Sequence, residues 1–205
     1  MLYLQTILPN TLELLRRLSA QPEMEGLRLV GGTSLALQYG HRQSIDLDFF
    51  GEPSATQDEI LSMIEKIGSY KLRNSTGKIL QVIIDNIMVD IVDYSQYPWI
   101  DTPLNTDGLT LASPKDIAAM KINAIEGRGS RKDFIDIYLL LQHYSLDEIL
   151  TFYSQKYPNH SIFRALLSLT YFDDAEAESM PKMLIPTTWE EMKKHIIETA
   201  RKYQG

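Results

Sequence analysis

One short stretch of the chain alternates apolar and acidic residues, and it constrains the fold more than any other feature. Ile45, Leu47 and Phe49 are apolar, and Asp46 and Asp48 stand between them. Because successive side chains of a β-strand point to opposite faces, the spacing predicts a strand with both carboxylates on one face. Two carboxylates this close repel each other unless a cation lies between them. The pattern therefore predicts a site for a divalent metal such as Mg²⁺.

A pair of glycines lies upstream of the acidic strand. The sequence "LRLVGGTSLALQYG", residues 27–40, predicts a buried strand, a glycine turn at Gly31 and Gly32, and a helix that Gly40 ends. Free backbone N–H groups at the start of such a helix attract phosphate oxygens, and glycine allows their close approach. Either feature alone is more often a tight turn or a solvated strand face. Together they favour a metal-bridged nucleoside triphosphate.

A third carboxylate is expected on a neighbouring strand. In "IMVDIVDY", residues 87–94, alternate apolar residues form one face and Asp90 interrupts the interior of the other. A buried, unpaired charge is costly, so Asp90 requires a metal, a cation or a proton. Asp93 is the weaker candidate because it shares the parity of the apolar face, and Asp85 is explained by a hairpin turn with Asn86. We therefore predict Asp90 as the third acid.

The order of elements predicts an α+β fold. An amphipathic helix over residues 9–20, a helix over 56–67 and a set of strands lead to a mixed sheet that ends near residue 110. After Pro98 the chain becomes helical, with Ser113 as a helix N-cap and a break at 127–129. The predicted domains are residues 1–110, an α/β core with an N-terminal helix, and residues 111–205, a helical half.

Composition narrows the chemistry. The chain has 205 residues, no cysteine and four histidines, so disulfides, thiolate metal sites and cysteine nucleophiles are excluded and a metal would bind to oxygen. The net charge of −7 argues against a broadly basic surface that coats nucleic acid. We find no signal-peptide pattern and no long apolar run, so the expected location is the cytoplasm, without a membrane partner.

Two motifs resemble those of a known family. The pattern "GGTSLALQYGHRQSIDLDFF", residues 31–50, resembles the first motif of the polymerase-β-type nucleotidyltransferase superfamily. Its particular residues resemble those of the AbiEii/AbiGii toxin-like nucleotidyltransferases of abortive-infection and toxin–antitoxin systems. The segment "KINAIEGRGSRKDFIDIYLLL", residues 121–141, resembles the later motifs of the same family. The resemblance covers roughly residues 28–141. It implies a nucleotidyltransferase-like mixed sheet flanked by helices, followed by a helical half that completes the active-site cleft.

The resemblance also implies roles for individual residues. The metal ligands would be the three acids, Asp46, Asp48 and Asp90, and the catalytic set would add Lys121 and Asp133. By the same resemblance, Gly32, Thr33 and Ser34 would contact the triphosphate. The predicted phosphate-binding set also includes Gly31, Arg42 and Ser44. The cofactor would be Mg²⁺ or Mn²⁺, and the co-substrate a nucleoside triphosphate. The acceptor would be RNA, in particular a tRNA end, and a cognate antitoxin would be a partner.

Several residues keep two interpretations. Arg42 either contacts phosphate or pairs with an aspartate of its own strand. Asp136 is open to interpretation as an ordinary ion-pair partner within its helix. The basic residues Arg128, Arg131 and Lys132 would steer an RNA acceptor, although a solvated helix start has the same composition.

The leading functional hypothesis is transfer of a nucleoside monophosphate from a nucleoside triphosphate to a hydroxyl group. One alternative is a kinase-like transfer of the terminal phosphoryl group on the same fold. Another is a catalytically silent nucleotide-binding or interaction module. The sequence leaves open which triphosphate is used, which acceptor is modified and how the chain assembles.

Overall fold

A seven-stranded mixed β-sheet organises the first half of the chain. The computed structural model describes residues 1–203. The strands are β1 (Leu27–Leu29), β2 (Leu47–Gly51), β3 (Tyr70–Ser75), β4 (Ile79–Ile84), β5 (Ile87–Asp93), β6 (Leu104–Thr106) and β7 (Leu109–Leu111). Their order in the sheet is β3-β4-β5-β2-β1-β7-β6. The pairs β2–β5 and β1–β7 are parallel, and the other neighbours are antiparallel.

Helices flank the sheet and fill the rest of the chain. They are α1 (Pro9–Ser19), α2 (Gly31–Tyr39), α3 (Gln57–Ile67), α4 (Pro114–Gly127), α5 (Arg131–Leu140), α6 (Leu146–Lys156), α7 (Ile162–Ser168), α8 (Asp173–Glu176) and α9 (Trp189–Lys202). Short 3₁₀ helices occupy Leu4–Thr6 and Pro22–Met24. Local sequence explains their starts: Thr56 and Ser145 form capping boxes, and Ser113 caps α4 ahead of Pro114. In residues 1–203 we find no helix with the length and apolarity needed to cross a membrane.

Two compact units account for the packing of the chain. The first comprises Met1–Tyr97 and Pro103–Ala112 and contains the sheet with α1, α2 and α3. The second comprises Pro98–Thr102 and the chain from Ser113 onward and contains the helices from α4 to α9. The predicted α+β class, a mixed sheet flanked by helices and followed by a helical half, is confirmed. The functional division into residues 1–110 and 111–205 stays a prediction.

The core of the first unit lies on one face of the sheet, against α1 and α3. Leu47 and Phe49 of β2 and Val89 and Ile91 of β5 are all buried in it. Alternation along β2 and β5 therefore sends the intervening residues to the opposite face, as predicted. The sheet thus positions Asp48 and Asp90 away from the apolar core.

The start of β2 differs from the prediction. The strand begins at Leu47, so Ser44, Ile45 and Asp46 precede it, and Ile45 is 52% exposed rather than part of the core. The main chain of this segment is held instead by contacts outside the sheet, because Ser44 N donates to the Thr6 carbonyl at 2.9 Å. The predicted turn at Asp85-Asn86 is confirmed, with both residues at positive φ as a two-residue hairpin requires.

Candidate active site

Two acidic residues stand side by side on adjacent parallel strands. Asp48 of β2 is the direct neighbour of Asp90 of β5 in the sheet register. Neighbouring strands lie about 4.8 Å apart, and residues in register project to the same face, so the two carboxylates share one patch of the sheet surface. Both residues are partly exposed, which leaves the patch accessible to a substrate.

Gly31 brings the start of α2 against this patch. The N–H group of Val30 donates to the Asp48 carbonyl at 2.8 Å, which joins the end of β1 to β2. Gly31 then adopts a φ of +66°, a region that favours glycine. A β-carbon at this position would overlap Asp48 Oδ2 and lie 3.3 Å from Asp48 Cγ. Glycine is therefore required here both by the backbone conformation and by the close approach of the carboxylate.

The first turn of α2 is built to receive an anion. Its N-cap residue is Val30, whose side chain cannot accept a hydrogen bond from the helix. The first N–H groups of a helix have no partner within the helix, and the helix dipole adds a partial positive charge at this end. Gly31 and Gly32 are partly exposed and carry no side chain that would block access. Phosphate oxygens are the ligands that such a terminus commonly binds.

The hydroxyl side chains of this region are buried and hold the backbone in place. The Thr33 hydroxyl donates to the Asp46 carbonyl and lies 2.9 Å from Ser44 Oγ. Ser34 Oγ accepts a hydrogen bond from Gln38 Nε2 at 3.1 Å. Thr33, Ser34 and Ser44 are each at most 8% exposed, which favours a structural role for their side chains. Direct phosphate contact by these three residues stays a prediction.

The surroundings of Asp90 disfavour the ionised form of its carboxyl group. Its Oδ2 accepts a hydrogen bond from Gln81 Nε2 at 2.8 Å, whereas its Oδ1 is buried and has no hydrogen-bond partner. Burial raises the pKa of Asp90 and the carboxylate of Asp46 raises it further, while the hydrogen bond from Gln81 opposes both effects. The carboxylates of Asp46 and Asp90 therefore interact, and an added cation or proton would stabilise Asp90. Gln81 was not anticipated from the sequence.

The alternative third acid, Asp93, has a different environment. It pairs with Gly51 in the register of β5 and β2, and it accepts a hydrogen bond from Ser95 N at 3.0 Å. Hydrogen bonds from Ser95 lower the pKa of Asp93. This carboxylate is stabilised as an anion without a metal, which favours Asp90 for the role of third acid.

Arg42 is buried, with only 1% of its surface exposed. Its Nη1 donates to the Gln43 carbonyl at 3.0 Å. This burial favours a role in supporting the loop before β2, and phosphate contact by Arg42 stays a prediction.

The donor set of the patch fits magnesium in part. Carboxylate oxygens are the ligands that Mg²⁺ prefers, and the buried Asp90 Oδ1 is an acceptor without a donor. Across residues 1–203, no three His, Cys, Asp or Glu side chains form a ready-made metal site. Mg²⁺ is commonly held by one or two protein carboxylates together with substrate phosphates rather than by a complete protein cage. The adjacent carboxylates and the anion-binding helix start match that mode of binding.

In the second unit, Lys121 lies between two buried carboxylates. Its Nζ is 2.8 Å from Asp133 Oδ1 and 2.7 Å from Asp136 Oδ2. The Ser130 hydroxyl donates to the other oxygen of Asp133 at 2.7 Å. Burial raises the pKa of Asp133, but Lys121 and the hydrogen bonds outweigh it, so the pKa lies below its ordinary value. Lys121 and Asp133 are thus brought together.

Asp136 has a partner that the sequence did not predict. It is fully buried, and its Oδ2 pairs with Lys121 Nζ of α4, while an ion pair within its own helix stays a prediction. The position of Asp136 three residues after Asp133, on the same side of α5, is the signal that could have predicted this pairing.

The predicted basic cluster has members in different environments. Arg128 is exposed, and Lys132 is partly buried. Arg131 is engaged within the protein: its Nε donates to the Ala175 carbonyl at 2.9 Å, and its guanidinium lies 4.8 Å from the centre of the Trp189 ring. Acceptor binding by Arg128, Arg131 and Lys132 stays a prediction, and for Arg131 these contacts favour a structural role.

A second buried ion pair, unanticipated from the sequence, fastens the segment Pro98–Thr102. Lys156 Nζ lies 2.8 Å from Asp116 Oδ1 and donates to the Pro98 carbonyl at 2.8 Å. Asp116 also accepts hydrogen bonds from the main-chain N–H groups of Ile100 and Asp101. Both side chains of the pair are fully buried, so this arrangement is structural.

Comparison with known proteins shows which family the sequence matches. The model of the family described as nucleotidyl transferase AbiEii toxin, type IV toxin–antitoxin system, matches residues 13–204. A protein of Aquifex aeolicus (strain VF5) is 35% identical over 181 residues, which cover 85% of this chain and 86% of that protein.

Solved structures of similar fold include two bacterial proteins. MenT4, a nucleotidyltransferase toxin from Mycobacterium tuberculosis H37Rv, aligns with a TM-score of 0.58 and 16% identity, covering 95% of this chain and 84% of its own. JHP933 from Helicobacter pylori aligns with a TM-score of 0.56 and 18% identity, covering 95% and 92%. These similarities show a shared nucleotidyltransferase fold. Since the family model spans nearly the whole sequence, the chain belongs to the AbiEii family of nucleotidyltransferase toxins.

Proposed function

We propose that this protein transfers a nucleoside monophosphate from a nucleoside triphosphate to a hydroxyl group and releases pyrophosphate. The observation that supports the proposal best is the in-register pair of Asp48 and Asp90 beside the glycine start of α2. An anion-binding helix terminus next to paired carboxylates suits a triphosphate that carries a divalent cation. Membership of a nucleotidyltransferase family supports the same reaction.

Different residues of the patch would bind the phosphates, bind the metal and accept a proton. The N–H groups at Gly31 and Gly32 bind phosphate oxygens, and Asp46, Asp48 and Asp90 hold Mg²⁺ or Mn²⁺. The metal, when bound, supplies positive charge that offsets the charge on the phosphates. Asp90, whose pKa is raised by burial, would accept the proton of the attacking hydroxyl group.

Lys121 and Asp133 contribute to the reaction from the second unit in this proposal. Two buried carboxylates hold the ammonium group of Lys121, which keeps it charged and fixes its orientation. A fixed cation of this kind offsets negative charge on a phosphate.

We further propose that the acceptor is the end of an RNA, in particular a tRNA, and that its modification arrests growth. The family is one of toxins in toxin–antitoxin systems, which supports a cognate antitoxin as partner and a role in abortive infection. The proposed place of action is the cytoplasm, where triphosphates and tRNA are available.

Labelled triphosphates test this reaction directly. The purified protein is incubated with total RNA, Mg²⁺ and each nucleoside triphosphate in turn, labelled at the α-position or at the γ-position. We expect the α-label to appear on RNA and the γ-label to be released as pyrophosphate. Transfer of the γ-label would identify a kinase-like reaction instead.

Two variants of matched chemistry make the assay specific. Asp48→Asn should abolish transfer of the α-label, because it removes one of the two neighbouring charges. Asp93→Asn, on the same sheet but paired with Gly51, should retain it. If the wild type transferred no label and Asp48→Asn left the affinity for the magnesium triphosphate unchanged, the protein would be a silent nucleotide-binding or interaction module.

A further inference from the structure

A single polar residue interrupts the apolar strand β4. Gln81 stands among isoleucine, leucine and valine residues in "ILQVII", residues 79–84. Its two neighbours along the strand are buried in the core of the first unit. Because side chains alternate, Gln81 projects to the opposite face of the sheet, in register with Asp90 of β5. Asp90 is in turn in register with Asp48 of β2, so the amide and the two carboxylates form one row across three strands.

The amide of Gln81 distinguishes the two oxygens of Asp90. Gln81 Nε2 donates to Asp90 Oδ2 at 2.8 Å, whereas Asp90 Oδ1 is buried and has no hydrogen-bond partner within residues 1–203. A carboxylate can turn about the bond that joins it to the β-carbon, and the hydrogen bond restricts this rotation. Buried acceptor atoms normally have a donor, and this part of the sheet supplies none to Oδ1. Oδ1 is therefore the oxygen of Asp90 that remains for a cation.

The chemical type of the donor suits a metal ligand. An amide N–H group holds a carboxylate without adding charge, whereas the side chain of lysine or arginine would neutralise it. Carboxylates that bind metal ions are themselves commonly oriented by hydrogen bonds from residues around them. Gln81 thus fixes Asp90 and leaves the full negative charge of its carboxylate available to a cation.

We propose that Gln81 is a positioning residue for the divalent cation: it holds Asp90 through Oδ2 and leaves Oδ1 to bind the metal. The proposal rests on the proposed function, because that function places Asp90 among the metal ligands. It adds a residue outside the carboxylate set that controls the affinity for the metal. An amide that only joined β4 to β5 would affect the stability of the sheet and leave metal affinity unchanged.

Binding of Mn²⁺ measures this role without catalysis. The full chain is titrated with Mn²⁺ in the presence of the α,β-methylene analogue of each nucleoside triphosphate in turn, and free Mn²⁺ is measured by electron paramagnetic resonance. Gln81→Met keeps the length of the side chain but has no N–H donor, so we expect Mn²⁺ binding to weaken about 10–100-fold. The matched control is Gln57→Met, which removes an exposed amide that donates to the Thr76 carbonyl and should bind Mn²⁺ as the wild type does.

A second variant decides the question if Gln81→Met folds poorly. Gln81→Lys keeps an N–H donor for Asp90 but adds a positive charge. We expect it to raise the melting temperature of the metal-free protein, because the ammonium group would pair with the carboxylate of Asp90. We also expect it to weaken Mn²⁺ binding at least tenfold, because the same charge repels the cation. For an amide with a purely structural role, the stronger partner would leave Mn²⁺ binding unchanged.

The outcomes separate this proposal from the proposed reaction. Mn²⁺ affinity equal to that of the wild type in either folded Gln81 variant would overturn the role of Gln81, even if the wild type transferred the α-label. A wild type that bound no Mn²⁺ with any analogue would also overturn it. A wild type that bound Mn²⁺ but transferred no α-label would refute the reaction alone, and the Mn²⁺ titrations would still decide the role of Gln81.

Discussion

Replacing Lys121 by methionine tests the electrostatic account of the second unit most directly. Methionine keeps much of the length of the lysine side chain but removes its charge. Asp133 and Asp136 would then lie in the same buried space without the ammonium group that they share, at positions that are 8% and 0% exposed. Removing one member of a buried group of opposite charges is strongly destabilising.

The expected loss of stability is large. Removing one member of a buried ion pair costs about 3–5 kcal/mol, because the remaining charge is left without compensation. Lys121 serves two carboxylates, so we expect a loss in the upper part of that range. With a urea dependence of about 1–3 kcal/mol per molar, the midpoint of unfolding should fall by roughly 1–5 M.

Tryptophan fluorescence measures this loss in the correct part of the chain. The two tryptophans, Trp99 and Trp189, both belong to the second unit. Urea titrations followed by their emission therefore report unfolding of the unit that contains Lys121. The matched control is Lys115→Met in the same helix, because the ion pair of Lys115 with Asp101 is about 40% exposed and should contribute about 1 kcal/mol or less.

The pH dependence distinguishes charge burial from lost packing. In the wild type, the pKa of Asp133 lies below its ordinary value, so its stabilising contribution is present at neutral pH and is lost as pH falls through that lowered pKa. In Lys121→Met, burial without the ammonium group raises the pKa of both carboxylates. The deficit relative to the wild type should therefore shrink between pH 7.5 and pH 5. A deficit below about 1 kcal/mol, or one of equal size at both pH values, would refute the electrostatic account.

Three further outcomes are expected. Gly31→Ala should cost about 1–3 kcal/mol of stability through its positive φ and its collision with Asp48, and should also lower affinity for the magnesium triphosphate in titration calorimetry; unchanged stability would contradict the required glycine. Asp90→Asn should raise the melting temperature of the metal-free protein at pH 7.5 while transfer of the α-label is lost, since burial disfavours the charged form; a lower melting temperature would count against this. Lys156→Met should cost about 3–5 kcal/mol and speed amide hydrogen exchange at Ile100 and Asp101, and slow exchange there would disprove its fastening role.

Alternation and turn chemistry made the sheet predictable. The apolar residues of β5 at every second position fixed which face Asp90 occupies, and Asp85-Asn86 fixed the register with β4. The hairpin of β6 and β7 was missed because its strands have only three residues each. Its turn, Asp107-Gly108, was the available signal, since both residues adopt the positive φ of a two-residue hairpin.

The site was less predictable where it depends on contacts distant in sequence. The segment before β2 leaves the sheet because Thr6 and Thr33 hold its main chain, and no local pattern records that competition. The pairing of Lys121 with Asp136 joins two helices across a turn, which helical periodicity alone cannot specify. The sequence predicted that Asp48 and Asp90 lie close together, but not that they are direct neighbours on adjacent strands. The order of strands depends on the packing of the whole sheet.

The course of the chain between the two units has a consequence for dissecting the protein. Residues up to Tyr97 belong to the first unit, and Pro98–Thr102 belong to the second. Pro103–Ala112 belong to the first unit again, and the chain from Ser113 onward belongs to the second. No single cut therefore yields two complete pieces. A fragment ending at residue 112 would carry Trp99 without the Lys156 that stacks on its ring, and the complementary fragment would deprive Asp116 of its donors at Ile100 and Asp101. Both units must therefore be produced as one chain for either of them to be complete.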